Sequence, residues 1–121
     1  MKFDFDNNIP IYIQLVEQLK NYIISGRMKP GERLPSVRDL ALQTKVNPNT
    51  MQKALVELEE MKLVYTESTN GRFVTTDKKL IDKYKKQYAI ELTNKYFSNM
   101  KDIGFDIKET IDYLKKLGGD K

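Results

Sequence analysis

Apolar residues recur along this chain first at helical and then at strand spacing, and the residues between them divide it into short elements. From Pro10 to Ser25, Tyr12, Val16, Leu19 and Ile23 follow at steps of four, three and four, with Gln14, Glu17, Gln18 and Asn21 between them. Side chains so spaced line one side of a helix. Pro10 suits its first turn, where a missing N–H costs nothing, and Gly26 stands where a left-handed residue ends it. After a turn-rich connector, Arg27 to Glu32, Ser36 predicts the N-cap of a second helix that ends near Lys45. Asp39 is placed to complete a capping box, and Val37, Leu40, Ala41 and, at the margin, Thr44 face inward. Val46 is an apolar plug in the turn that follows. A third helix opens at Asn47-Pro48-Asn49-Thr50, a favoured N-cap followed by proline at the first helical position. Met51, Ala54, Leu55, Leu58 and Met61 form its inner stripe. Asn49, Gln52 and Lys53 fall on the opposite side at 100° per residue, with Val56 and Glu60 further along it. Two short helices joined by a tight turn read as a helix-turn-helix.

The pattern then changes. Leu63–Glu67 and Arg72–Thr75 are β-rich runs around Ser68-Thr69-Asn70-Gly71, and Asn-Gly is a strong hairpin signal. The expected fold is mostly α with a small β wing: a winged helix-turn-helix over residues 1–76. The remaining 45 residues, 77–121, read as a two-helix tail. Leu80, Tyr84, Tyr88, Leu92, Tyr96 and Met100 lie near one face of a helix from Asp77 to Met100. A second begins at Asp106, with Glu109 placed to reach back, and carries Ile107, Ile111 and Leu114 on one face before Gly118-Gly119 ends it. Two such helices do not bury both stripes by themselves; they need the winged helix, a second subunit, or both. The tail is therefore read as a dimerisation element through Leu80, Tyr84, Tyr88, Leu92, Ile107, Ile111 and Leu114. A ligand cage built on Tyr84, Tyr88 and Tyr96 is the less favoured alternative, because aromatic stripes at helical spacing usually pack.

Composition narrows the chemistry. The chain has 121 residues, 40% hydrophobic and 31% charged, which is one domain or a domain with an appendage. It has no cysteine and no histidine. A disulfide framework, a Cys/His zinc site and a Ser-His-Asp or Cys-His nucleophile are all excluded. Catalysis would rest on carboxylates, lysines or tyrosines alone, so the chain is expected not to be an enzyme and to need no cofactor or metal. The longest apolar-rich stretch, Ile9 to Ile24, is interrupted by Gln14, Glu17, Gln18, Lys20 and Asn21, and the first ten residues carry acids and no apolar signal core. A cytoplasmic location without membrane association is expected. Net charge is +4, which fits an anionic partner without requiring one. Its distribution says more. Arg33, Arg38, Lys45 and Lys53 face a single acid, Asp39, before Glu57, Glu59 and Glu60 follow. A third helix positive at its front and negative at its rear suits entry into a major groove N-terminus first. Asn49 and Gln52 carry amides that pair with adenine, Lys53 reaches guanine or phosphate, and Asn47 caps whatever else it touches. Arg38 is either a surface ion-pair partner or a DNA contact from the preceding helix.

These residues carry a resemblance. Leu34-Pro35-Ser36-Val37-Arg38-Asp39-Leu40-Ala41, then Val46-Asn47-Pro48-Asn49-Thr50-Met51-Gln52-Lys53-Ala54-Leu55, then Glu57-Leu58-Glu59 and Gly71-Arg72-Phe73-Val74, resemble the GntR family of bacterial transcription regulators. Ile9-Pro10-Ile11-Tyr12-Ile13-Gln14-Leu15 and Lys29-Pro30-Gly31-Glu32-Arg33 match it too, so the likeness spans about residues 9–75. The Asn-Pro-Asn-Thr start and the short tail are similar to the YtrA subfamily in particular. The resemblance implies a homodimeric transcription repressor on double-stranded DNA with an inverted-repeat operator, often one serving a transporter operon. Its DNA face would comprise Ser36, Arg38, Asn47, Asn49, Thr50, Gln52, Lys53, Gly71 and Arg72. The wing departs from the family pattern: Glu67-Ser68-Thr69-Asn70-Gly71 stands where Arg-Arg-Gly-Lys-Gly is usual, and Arg72 is the basic residue left there. The tail is too short to enclose a typical metabolite pocket within one subunit, and no small-molecule effector is specified. The alternative is a winged-helix adaptor that binds proteins without reading DNA sequence. An adaptor would show apolar residues on the outer face of the third helix, where this chain shows Asn49, Gln52 and Lys53, with only Val56 dissenting.

Overall fold

The computed structural model describes residues 1–119. The element order is α1 (Ile11–Ile24), α2 (Val37–Thr44), α3 (Pro48–Glu60), β1 (Val64–Glu67), β2 (Gly71–Val74), α4 (Lys78–Asp102) and α5 (Ile107–Gly118), with a short 3₁₀ turn, Ser68–Asn70, between the strands. Three helices and an antiparallel hairpin make the winged helix-turn-helix. Contacts divide the chain into Met1–Tyr84 and Lys85–Lys121, so the division falls inside α4.

In the first unit α1 lies against α3. Leu15, Leu19 and Ile23 of α1 meet Met51, Ala54, Leu55 and Leu58 of α3 in a core closed by Leu40, Val46, Leu63, Val64 and Val74. The stripe of α3 is the one its spacing predicts. That of α1 is rotated: Leu15 is fully buried, whereas Tyr12 and Val16 are half-buried at its margin. Three leucine or isoleucine residues four apart form one ridge, and that ridge meets α3. Ile81 and Tyr84 in the first turns of α4 pack against the same core, and the Tyr84 hydroxyl donates to the Met61 carbonyl at 3.1 Å. This is why the first unit extends beyond Thr76.

The hairpin pairs Val64 with Val74, Tyr65 with Phe73, Thr66 with Arg72 and Glu67 with Gly71. Its loop is the three residues Ser68–Asn70 and not a two-residue Asn-Gly turn; Gly71 closes it as a strand residue at φ +105°. The connector before α2 lies along the other edge of β2. Gly31 N–H donates to Val74 O, Val74 N–H to Glu32 O, and Leu34 N–H to Arg72 O, each at 2.9 Å. These bonds lock the wing to the segment that leads into α2.

The first residues form a strap along α1. Tyr22, Gln18 and Gln14, four residues apart, hold the backbone of Lys2, Asp4 and Asp6, two residues apart. Lys2 N–H donates to the Tyr22 hydroxyl at 2.6 Å, and that hydroxyl donates to Lys2 O at 2.9 Å. Asp4 exchanges bonds with the Gln18 amide at 3.2 and 2.6 Å, and Asp6 with the Gln14 amide at 2.7 and 2.7 Å. The fit follows from geometry: four helical residues rise about 6 Å, close to the span of two extended residues, about 6.7 Å. Phe3 and Phe5, the residues between, turn onto the core. Deleting residues 1–6 is expected to lower stability by about 1–2 kcal/mol, the net of two half-buried phenylalanines and the ordering of the strap. A urea titration of the shortened chain measures this, and an unchanged midpoint would exclude the strap as a structural element.

In the second unit, α5 is capped as the sequence predicts. Asp106 Oδ1 accepts from Glu109 N–H at 2.8 Å while Glu109 accepts from Asp106 N–H at 3.2 Å. Phe105 meets Tyr113 edge to face, with ring centroids 5.3 Å apart. Among the described residues, no helix is long and apolar enough to cross a membrane.

Candidate nucleic-acid interface

Three local devices present α3 to solvent. Lys45 adopts a left-handed conformation, φ 57°, that turns the chain, and buried Val46 pins the turn. Asn47 Oδ1 accepts from Asn49 N–H at 2.8 Å, which caps the helix, and Pro48 occupies its first turn. Met51, Ala54, Leu55 and Leu58 anchor the inner side. Asn47, Asn49, Gln52 and Lys53 are therefore exposed, and Thr50 is half-buried. On α2, Arg38 is exposed, and Ser36 Oγ caps the helix by accepting from Asp39 N–H at 3.1 Å.

The wing brings a second group beside this helix. A shallow concavity of about 360 Å³ is lined by Arg33, Ser36, Gln52, Thr66, Gly71 and Arg72, among others. Four of the sequence-predicted positions thus meet at one place, while Arg38, Asn47, Asn49, Thr50 and Lys53 do not line it. Gly71 suits its place, above all by its backbone. Its φ is positive, and a Cβ there would stand 3.2 Å from Arg33 Nε. In sequence Arg33 belongs to the basic run and to the connector motif but not to the predicted DNA face; its approach to the wing depends on the connector lying along β2.

Arg72 is not a free cation. Its Nε donates to Glu59 Oε1, which also accepts from Thr66 Oγ1 at 2.9 Å, and its Nη1 reaches Gln52 Oε1 at 3.4 Å. Desolvation pushes the Glu59 carboxyl up, but hydrogen bonds from Arg72 and Thr66 and the Arg72 charge outweigh it and hold the group below the usual glutamate range. A depressed carboxylate stabilises the fold at neutral pH and loses that contribution as pH falls through its folded-state value. Lys53 has a distant partner as well. Its ammonium stands 4.8 Å from the centre of the Tyr12 ring, and the Tyr12 hydroxyl donates to Glu57 Oε2 at 3.0 Å. Desolvation, the bond to Glu57 and the charges of Glu57 and Glu60 all raise the Tyr12 phenol, so it stays a donor. No local spacing could have signalled either Glu59 or Tyr12.

The resulting face offers amides, hydroxyls and cations, the groups that contact base edges and phosphates. Of the predicted dimerisation residues, Leu80, Tyr84 and Tyr88 are half-buried, and Leu92, Ile107, Ile111 and Leu114 are exposed.

Comparison with known proteins agrees with this geometry. The family model for bacterial regulatory proteins of the gntR family matches residues 11–74. The HTH-type transcriptional repressor YtrA of Bacillus subtilis (strain 168) is 31% identical over 121 residues, covering 99% of this chain and 93% of that protein. A GntR family transcriptional regulator from Listeria monocytogenes has a TM-score of 0.86 and 38% identity, covering 93% of this chain and 98% of that one. The DNA-binding domain of AraR in complex with operator ORR3 has a TM-score of 0.53 and 28% identity, covering 62% of this chain and 88% of that one.

Proposed function

This chain belongs to the gntR family of bacterial regulatory proteins, and from that premise we propose that it is a homodimeric, sequence-specific repressor acting in the cytoplasm on an inverted-repeat operator. The family and fold are those of DNA-binding transcription regulators, not enzymes. The observation that carries the finer reading is the outer face of α3. Its core stripe is anchored, its N-terminus is capped by Asn47, and Asn49, Gln52 and Lys53 project into solvent. That is the form of a recognition helix whose first turns meet base edges. Ser36, Arg38 and Thr50 flank it, and Gly71 and Arg72 bring the wing alongside. The exposed Leu92, Ile107, Ile111 and Leu114 of the tail support a homodimer, because a second copy would cover them and set two recognition helices on two half-sites. The likeness to the YtrA subfamily makes an operon encoding a transporter the proposed target.

Selection of bound sequences from a random double-stranded pool tests this reading, and an enriched inverted repeat is the expected product. Arg38→Ala and Lys53→Ala are expected to weaken operator binding and each to flatten its salt dependence by about one unit of slope, since each phosphate contact releases counterions. Gln52→Ala is expected instead to relax preference at one base position per half-site, by about 1–3 kcal/mol. A pool that yields no repeat, or three variants with the parent's affinity and preference, would overturn the assignment and favour a protein-binding adaptor.

A further inference from the structure

We propose that Glu59 sets the base preference of α3 without touching DNA, by holding the Arg72 guanidinium against Gln52 Oε1 so that Gln52 meets the groove through its amide NH₂. The inference deepens the reading of Gln52 as a base contact and rests on it. Glu59 lies on α3 and Arg72 opposite Thr66 in the hairpin, and a single carboxylate oxygen gathers Arg72 Nε and Thr66 Oγ1. The Glu59 and Arg72 side chains are 29% and 19% exposed, sheltered enough for a charge-assisted bond to hold its geometry. The remaining arm of the guanidinium, Nη1, then stands 3.4 Å from Gln52 Oε1. A guanidinium only donates, so the amide end that faces it is the oxygen.

The consequence is chemical. A free glutamine offers adenine a matched pair, its oxygen accepting from N6 and its NH₂ donating to N7. With the oxygen turned to Arg72, the edge left for DNA is a donor. A donor favours acceptors in the major groove, which guanine, adenine and thymine present, and disfavours the N4 amine of cytosine. Through the same bond a wing without the family's usual basic residues would still bear on recognition. Its one arginine is spent on orienting a side chain and not on a phosphate.

The test uses the full chain with three substitutions, Glu59→Ala, Arg72→Ala and Gln52→Ala, and two readouts. The first is sequence selection from a random DNA pool; the second is binding to random-sequence DNA across a salt series. Glu59→Ala and Arg72→Ala are expected to shift preference toward adenine at the position that Gln52→Ala relaxes, by about 5-fold or more. They should part company in the salt series. Glu59→Ala frees a cation for the backbone and steepens the slope by about one unit, whereas Arg72→Ala has no cation to free and does not. A loosened wing alone would lower affinity without an adenine shift at one position, and thermal melting of each variant checks that it is folded. If Glu59→Ala and Arg72→Ala keep the parent's preference where Gln52→Ala relaxes it, the proposal fails and Gln52 remains a base contact. If Gln52→Ala relaxes no position, that contact is refuted and the proposal with it.

Discussion

Ending the chain after Tyr84 is expected to leave a folded monomer whose operator affinity is lower by roughly 10²–10⁴-fold. In a dimer the second half-site binds intramolecularly, at an effective concentration far above that of free protein, and this gain vanishes when the two winged helices are unlinked. The tail has the surface to make the link. Leu92, Ile103, Ile107, Leu114 and Leu117 are 46–69% exposed in the single chain, large apolar side chains that a second copy would cover. The place of the cut matters. Ending at Thr76 would also remove Ile81 and Tyr84 from the first unit's core and the bond to the Met61 carbonyl, at a further cost of roughly 2 kcal/mol in stability. Sedimentation and gel-shift titration of the chain ending at Tyr84 separate the two effects. A shortened protein that still dimerises and binds at full strength would show that the tail serves another purpose.

Leu15→Ala is expected to destabilise the first unit by about 2–5 kcal/mol, and Ile13→Ala by no more than about 0.5 kcal/mol. The two residues are neighbours on α1 and similar in size, yet Leu15 is 0% exposed and Ile13 52%. Removing the Leu15 side chain leaves a cavity between α1 and α3 that rigid neighbours fill only in part. For a domain whose total stability is of order 5–15 kcal/mol, that loss is enough to reduce DNA binding through unfolding alone. Urea midpoints of the two variants measure the contrast. Equal effects would mean that α1 presents a different face to α3.

Both experiments bear on how far the sequence can be read. The caps at Ser36, Asn47 and Asp106 are bonds between residues two or three apart, so side-chain type and spacing suffice to locate them. The inner stripe of α3 is likewise local, since the residues before and after it leave only one apolar side. The α1 stripe was less legible because apolar residues surround that helix. Ile11, Tyr12, Ile13, Leu15 and Val16 satisfy more than one helical face, and α3 selected the one through Leu15. The strap was illegible for another reason: Phe3, Phe5 and the Gln14, Gln18, Tyr22 ladder make sense only when an extended segment is laid beside a helix.

The sequence by itself determined the order of elements, the helix boundaries set by caps and prolines, and the polar outer side of α3, because these depend on interactions within one or two turns. The tertiary structure alone decided which groups on that side are free. Arg72 meets Glu59 thirteen positions away and Gln52 twenty away, and Tyr12 meets Glu57 forty-five away. Such pairs arise from how helices and strands pack, and packing is set by the fit of buried side chains and not by the spacing of polar ones. An arginine that the sequence resemblance assigns to the DNA face is therefore, once folded, already bound by a carboxylate from the helix it stands beside.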